Sequence, residues 1–229
     1  MIRLPVAVDG LPFLLGLLLI SALLAFLQFY IVAAVAFAIC LFVGYFFRDP
    51  ERKVSADAGV LLSPADGKVI CVDEVKPSED NEQPDTRVSV FMSVFNCHVN
   101  RSPLTGSVAS VQHIEGRFLA AFAKGAGEAN ERTAVELVDD SGERIRCTQI
   151  AGLIARRIVC RLKSGDSVQA GQRIGLIKFG SRVDVVMPST YSVSVKVGDE
   201  VRAGLDVIGR RRNANLSPTQ TPGKKRRMG

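Results

Sequence analysis

The chain has 229 residues, a net charge of +6 and 47% hydrophobic residues, enough for one globular domain plus an attachment. Its five cysteines are odd in number, scattered and without a C-x-x-C pair, which argues against a disulfide framework or a structural zinc site and fits a reducing compartment. With two histidines, no H-x-x-x-H and no carboxylates at ligand spacing, no metal centre is expected.

Residues 1–47 read as a membrane anchor. No charged residue occurs from Gly10 to Phe47, and a bilayer span needs about 20 apolar residues. The stretch therefore predicts one tilted helix or a tight helical hairpin. Gln28-Phe29-Tyr30 stands midway as a candidate tip, but no Gly or Pro marks a turn there, so both readings stay open. A cleaved signal peptide has a shorter apolar core and a small-residue exit site. Here the apolar run passes directly into "YFFRDPERK", which predicts a retained anchor. Arg48, Arg52 and Lys53 follow it, and only Arg3 precedes it. That bias predicts the cell membrane, with the following domain on the cytoplasmic side.

Residues 48–210 predict a β-rich α+β domain. "GVLLSPADGKVICVDEV" reads as strand, turn, strand. "TRVSVFMSVFNCHVNRSP" alternates over Val88, Val90 and Met92 and breaks at Asn96-Cys97-His98. "GSVASVQHIEG" is a further strand, a short helix is expected around Arg117–Lys124, and "ERTAVELVDDSGERIRCTQIAG" is a hairpin turning at Asp140-Ser141-Gly142. An internal echo follows. "LKSGDSVQAGQRIGLI" and "VKVGDEVRAGLDVIG" share G-D-x-V-x-A-G, so Gly165, Asp166 and Gly171 match Gly198, Asp199 and Gly204. Two pseudo-repeated hairpins suggest a barrel or sandwich of lipoyl-like type, with Gly-Asp turns that tolerate positive φ. Gly180-Ser181 falls on the connection between them. Residues 211–229 are basic, lack apolar periodicity and are expected to be disordered. Beside a membrane anchor, their simpler target is anionic headgroups, at about 1 kcal/mol per basic residue, rather than nucleic acid.

The candidates for chemistry are few. His113 alternates with apolar neighbours and reads as a strand-edge residue. His98 stands where a strand gives way to a loop. Cys97 and His98, adjacent on an extended segment, point to opposite sides and form no dyad. Asp66 in "SPADGKV" has a plain reading as a turn residue, and Gly180-Ser181 has one as a bulge. Together Ser181, His98 and Asp66 supply the residue types of a nucleophile, base and carboxylate. The Ser181 hydroxyl has a special target in the Gly180 carbonyl just before it. An ester there, broken by β-elimination, cuts the chain and leaves a pyruvoyl group at position 181.

The sequence resembles the phosphatidylserine decarboxylase proenzymes of the short class. The matching pieces are "YFFRDPER", "SPADGKV", "FMSVFNCHVNRSP", "GRF", "NER" and "GQRIGLIKFGSRVD", in that order, between Tyr45 and Pro188. The resemblance implies self-cleavage between Gly180 and Ser181 and a covalent pyruvoyl cofactor derived from Ser181. The ketone would form a Schiff base with the amine of phosphatidylserine, and loss of CO₂ would give phosphatidylethanolamine. His98 and Asp66 would be catalytic. The large (1–180) and small (181–229) chains would stay together as a heterodimer, with further dimerisation open. Arg101, with Arg48 and Arg52 as further basic residues expected near the membrane, is a candidate for the substrate phosphate on charge alone. The chain departs from longer members in two places. Phe179-Gly180-Ser181-Arg182 stands for their Leu-Gly-Ser-Thr, and Arg101 stands where they carry a second histidine. Two alternatives remain: a decarboxylase of a related lipid-linked serine, and a non-enzymatic membrane-anchored adaptor with a lipoyl-like sandwich. The adaptor would explain the anchor and the repeats, but a true carrier needs a hairpin-tip Lys that is absent here.

Overall fold

In the computed structural model, which describes residues 5–55, 57–77, 83–123, 125–153, 157–178 and 180–212, the apolar N-terminus is a helical hairpin. Helix α1 spans Leu11–Phe26, with Pro12 in its first turn, and α2 spans Tyr30–Phe46. The reversal lies at Leu27–Phe29, where Gln28 takes φ +65°. Ala33, Cys40 and Gly44 lie along one seam of α2: Ser21 donates to the Ala33 carbonyl (2.9 Å), Cys40 to that of Leu14 (3.6 Å), and Leu14 packs over Gly44. Small residues at such a seam let two apolar helices approach closely. The outer faces stay bare, with Phe26 and Ile31 both 83% exposed. Val8–Phe26, with a mean hydropathy of 2.2, is long and apolar enough to cross a membrane, while Tyr30–Phe46 is shorter. The hairpin returns to its origin, for Val6 bridges Arg48 and Ala7 N–H donates to the Phe47 carbonyl (2.8 Å).

The rest is β-rich. The strands are β1 (Val60–Leu62), β2 (Gly67–Val75), β3 (Asp85–Met92), β4 (Val99–Arg101), β5 (Gly106–Ile114), β6 (Arg132–Asp139) and β7 (Arg144–Ile150). They continue with β8 (Ile158–Cys160), β9 (Ser167–Val168), β10 (Arg173–Ile177), β11 (Ser181–Met187), β12 (Tyr191–Val193), β13 (Glu200–Val201) and β14 (Val207–Arg211). All described strand pairings are antiparallel, and one isolated bridge, between Arg117 and Asn130, is parallel. Eight strands form a curled sheet in the order β13-β2-β3-β11-β7-β6-β5-β9, and two three-stranded sheets, β1-β14-β12 and β4-β10-β8, lie beside it. Alternation sets the core, because residues two apart on a strand share a face. Val88, Val90 and Met92 of β3, Val183, Val185 and Met187 of β11, and Ile145 and Cys147 of β7 all point inward.

The two G-D-x-V-x-A-G segments are related by internal pseudo-symmetry. Each is an arch between sheets: β9 and β13 add to opposite edges of the large sheet, while β10 and β14 enter the two small ones. The bonds repeat as well. Asp166 and Asp199 each accept the backbone N–H three residues before them, and Gly171 and Gly204 donate to Ser102 and Ser63. Ser102 and Ser63 open two further matching turns, "SPLTG" and "SPADG", and each hydroxyl donates to the carbonyl two residues on. A Cβ on Gly204 would lie 3.2 Å from Gly171 Cα, so the two arches cross at a point that admits no side chain.

The helix expected around Arg117–Lys124 is displaced. The short helix α3 is Ala126–Ala129; Arg117 bridges Asn130, residues 118–120 are irregular, 121–123 turn, and Lys124 lies outside the described residues. Asn130 fixes this loop: it accepts from Leu119 N–H and donates to the Leu119 and Ala151 carbonyls. At the C-terminus β14 runs to Arg211, whose guanidinium meets Asp139. The basic tail from residue 213 onward lies outside the described residues.

Candidate active site

Ser181 is the first residue of β11, near the middle of the large sheet, and pairs with Met92 of β3. It shares the inward face of Val183 and Val185. Its side chain is fully buried and its Oγ has no hydrogen-bond partner among the described residues. Gly180 before it has φ +60°, a left-handed conformation, with open space where a Cβ would stand. The glycine is there for its dihedral rather than for room.

His98 reaches the same end of the domain by another route. Its segment leads into β4, which pairs with β10 so that Val99 faces Leu176, and the Ile177 N–H donates to the His98 carbonyl (3.4 Å). Three residues beyond Ile177 stands Gly180. On the extended segment, Asn100 shares His98's face, and its Nδ2 contacts Met92 Sδ (3.5 Å), the strand partner of Ser181. Gln149 of β7 donates to Asn100 Oδ1 (2.8 Å). His98, Asn100, Gln149 and Ser181 thus form a polar end to an otherwise apolar core.

The imidazole tautomer follows from its partner. Nδ1 lies 3.0 Å from the Asn96 carbonyl, which can only accept, so Nδ1 carries the proton. Nε2 is then the basic lone pair, and it is buried without a partner. The ring packs on Phe46 at the end of α2, with centroids 4.1 Å apart. Burial, opposed by the Asn96 bond and aided by Arg48, lowers its pKa from 6.5 to about 4. His98 is therefore a neutral base at pH 7. Buried polar atoms are normally satisfied, yet Ser181 Oγ, His98 Nε2 and Gln149 Oε1 at this one end are not. Of these three, only the Ser181 hydroxyl can donate, while His98 Nε2 and Gln149 Oε1 are acceptors.

Asp66 is placed differently from a triad carboxylate. Its oxygens accept from Arg52 (2.6 and 2.7 Å), and Oδ1 also accepts the Ala203 N–H (2.8 Å). Thr105 does the same in the other half, its hydroxyl accepting the Ala170 N–H (3.0 Å). Asp66 thus acts on His98 as a nearby charge favouring the cation, while the Nδ1 contact belongs to Asn96. Arg101 is buried, with its guanidinium on Asp49 and on the Gly171 and Pro50 carbonyls. Cys97 donates to the Arg48 carbonyl, away from the imidazole, and burial raises its pKa. His113 is half-exposed on β5 and contacts Thr133. A polar cavity of about 860 Å³, lined by Arg87, Arg132, Glu136, Arg146 and Asp184 among others, lies on the opposite face of the large sheet from Ser181.

Sequence reasoning missed Asn100, Gln149 and Phe46. A signal existed for Gln149, a polar residue at the inward position after Ile145 and Cys147. Phe46 had none, since every neighbour in the anchor is also apolar.

The site thus joins a buried serine behind a left-handed glycine, a neutral histidine and an apolar helical hairpin. Residues 39–209 match the family model described as phosphatidylserine decarboxylase. The chain is similar to three phosphatidylserine decarboxylase proenzymes. With that of Desulfotalea psychrophila it shares 43% identity, covering 90% of this chain and 97% of the relative. The Symbiobacterium thermophilum protein is 45% identical, with 90% and 95% covered, and that of Chlorobium chlorochromatii is 50% identical, with 74% and 79% covered. The chain is thus an enzyme of decarboxylase type, a lyase. It belongs to the phosphatidylserine decarboxylase family, and the non-enzymatic adaptor reading is withdrawn.

Proposed function

We propose that the chain is a proenzyme that cuts itself between Gly180 and Ser181 and then decarboxylates phosphatidylserine at the membrane. The observation that carries this reading is the partnerless, buried Ser181 Oγ directly after a left-handed glycine. In self-cleavage, Oγ attacks the Gly180 carbonyl carbon and passes its proton to His98 Nε2. The peptide C–N bond breaks as the amine takes a proton, leaving an ester. Removal of the Ser181 Cα proton expels the Gly180 carboxylate and leaves dehydroalanine. Its hydrolysis releases ammonia and leaves a pyruvoyl ketone.

That ketone supplies an electron sink for the bond to the departing carboxylate. The protein's own groups do the rest. His98 carries the proton that replaces the carboxylate, Asn100 and Gln149 fix the polar end of the core, and Phe46 excludes water from the imidazole. With Arg101 committed to Asp49 and two carbonyls, the headgroup phosphate falls to a cation at the hairpin base. Lys178, whose Nζ sits 4.8 Å from the Phe13 ring centroid, is there, while Arg48 is bonded to the Tyr45 and Phe95 carbonyls.

The two chains remain together because cleavage leaves them interleaved. The segment from Ser181 supplies β11 between β3 and β7, and β14 between β1 and β12. The hairpin enters the bilayer from the cytoplasmic side, in keeping with both of its ends lying beside Arg48 and the basic residues that follow.

Intact mass tests the reading. Wild-type protein should give two polypeptides, the smaller beginning at residue 181 with a ketone and no free amine. Ser181→Ala should give one uncut, inactive chain. A fully active protein made of a single uncut chain would falsify the proposal.

A further inference from the structure

The turn that leads to His98 presents an aromatic side chain with no place in the core. Ser93 and Asn96 lock this turn. Asn96 Oδ1 accepts from the Ser93 N–H and hydroxyl (both 2.8 Å), and the Asn96 N–H donates to the Ser93 carbonyl (3.0 Å). Phe95 sits at its tip, 65% exposed. Among the described residues its ring packs edge-on against Phe42 of α2, with centroids 6.5 Å apart. Phe42 lies one helical turn beyond Phe46 toward the hairpin tip, about 6 Å along the axis. The turn therefore stands beside the apolar shaft rather than below it.

Two polar groups hold it there. Tyr45 Oη donates to the Phe95 carbonyl (3.1 Å), and Arg48 Nη2 donates to the same oxygen (2.8 Å) while the guanidinium stacks on the Tyr45 ring (4.0 Å). Tyr and Arg are residues of the headgroup level, with an apolar body and a polar end. The loops emerging at the same end of the large sheet carry further exposed apolar side chains, Leu119, Phe122 and Leu153.

We infer that the turn 93–96 is a second membrane contact, separate from the hairpin, with Phe95 inserted at the boundary between headgroups and acyl chains. The occupant is a lipid surface, because Phe95 adjoins the shaft that the proposed function places in the bilayer, and the inference rests on that reading. Its consequence is depth. His98 follows Phe95 by three residues, so this contact sets the site at the level of the headgroups, where a lipid's polar end lies without leaving the bilayer.

The protein contains no tryptophan, so single reporters are clean. Phe95→Trp and, in the middle of α2, Phe37→Trp are placed separately in the full-length chain. Each is reconstituted in phosphatidylcholine–phosphatidylglycerol vesicles carrying bromine at shallow or deep acyl positions. Phe37→Trp should be quenched by the deep label and Phe95→Trp by the shallow one. Quenching at 37 with none at 95, as when a protein partner covers Phe95, overturns the inference and leaves the inserted hairpin standing. No quenching at either site overturns both. In the second arm, Phe95→Ser should lower kcat/KM on vesicle phosphatidylserine about tenfold, a loss of about 1.4 kcal/mol. Self-cleavage and turnover of a short-chain, water-soluble phosphatidylserine should be unchanged. Equal losses on both substrates would assign Phe95 to folding and not to the bilayer.

Discussion

The Phe46 ring lies on the His98 imidazole, with centroids 4.1 Å apart and planes inclined by 33°. The last residue of the apolar hairpin is thus a wall of the candidate site, and the two meet in one contact. Phe46 is fully buried among Ala7, Phe47, Cys97, Val99 and Leu176.

Phe46→Ala should move the pH profile. Burial is the largest cause holding the His98 pKa at about 4, and removing the ring readmits water. The acid limb of self-cleavage, in which neutral His98 accepts the Ser181 proton, should therefore shift up, toward 6.5. The truncation should cost about 3–5 kcal/mol of stability, so Phe46→Leu, which refills part of the space, serves as the milder arm with a smaller shift in the same direction. An unchanged acid limb in both variants would show that Phe46 does not set the state of His98.

The same burial predicts a stability profile with a definite sign. His98 has a folded-state pKa below its ordinary value, so the unfolded chain binds the proton more readily. Its contribution is fully present above about pH 6.5 and is lost as pH falls through about 4. In the uncut Ser181→Ala background, His98→Gln should flatten the fall in denaturation midpoint across that window. A midpoint that still falls as steeply would place the acid sensitivity elsewhere.

Gly180→Ala should slow self-cleavage without unfolding the protein. A Cβ at 180 meets open space, so the cost is the left-handed φ of +60° alone, about 1–2 kcal/mol for a residue with a side chain. Uncut precursor should accumulate in a gel time course, while the denaturation midpoint of the Ser181→Ala/Gly180→Ala pair falls only modestly relative to Ser181→Ala. Cleavage at the wild-type rate would mean that the left-handed turn has no part in exposing the carbonyl.

What the sequence made legible was what periodicity and unusual pairs encode. The charge-free run implied a span or hairpin, alternation gave the strands, and the repeated Gly-Asp turns marked the pseudo-symmetric halves. Gly180-Ser181 has a plain reading as a bulge, and only its company with His98 and Asp66 and the resemblance gave it weight. Asp66 misled as to its partner because a turn carboxylate looks the same whether it faces a histidine or an arginine. The second turn, "SPLTG", held the clue. Thr105 stands where Asp66 does and makes the matching bond to Ala170, which points to a turn-closing task shared by both halves. Arg101 looked available as a cation, but only the fold brings Asp49 and the Gly171 carbonyl to it.

Asp66→Asn should accordingly act through structure as well as charge. The Arg52–Asp66 pair is largely buried, with side-chain exposures of 8% and 13%, and breaking such a pair on one side costs about 3–5 kcal/mol. The amide oxygen can still accept from Ala203, so the turn is partly kept and the ion pair lost. A lower denaturation midpoint and slowed cleavage are expected, with cleavage recovering at lower temperature. Full stability with cleavage abolished would instead return Asp66 to a direct role beside His98.

Replacing residues 11–44 with a short Gly-Ser linker separates the two tasks of the N-terminus. Gly10 packs directly against the Phe47 ring, and Val6 bridges Arg48, so the ends to be joined are already adjacent. Phe46 remains on His98. The shortened protein should stay in solution, cleave itself and turn over short-chain phosphatidylserine, while its rate on vesicles falls by far more than its rate on the soluble analogue. The full-length protein should behave oppositely. Val8–Phe26 alone has a mean hydropathy of 2.2, and at about 0.8 kcal/mol per buried CH₂ its transfer into lipid outweighs the basic residues' attraction to headgroups. High salt should leave the full-length chain in the membrane pellet and detergent should release it. Release by salt alone would mean that charge, not the hairpin, holds the enzyme to its lipid.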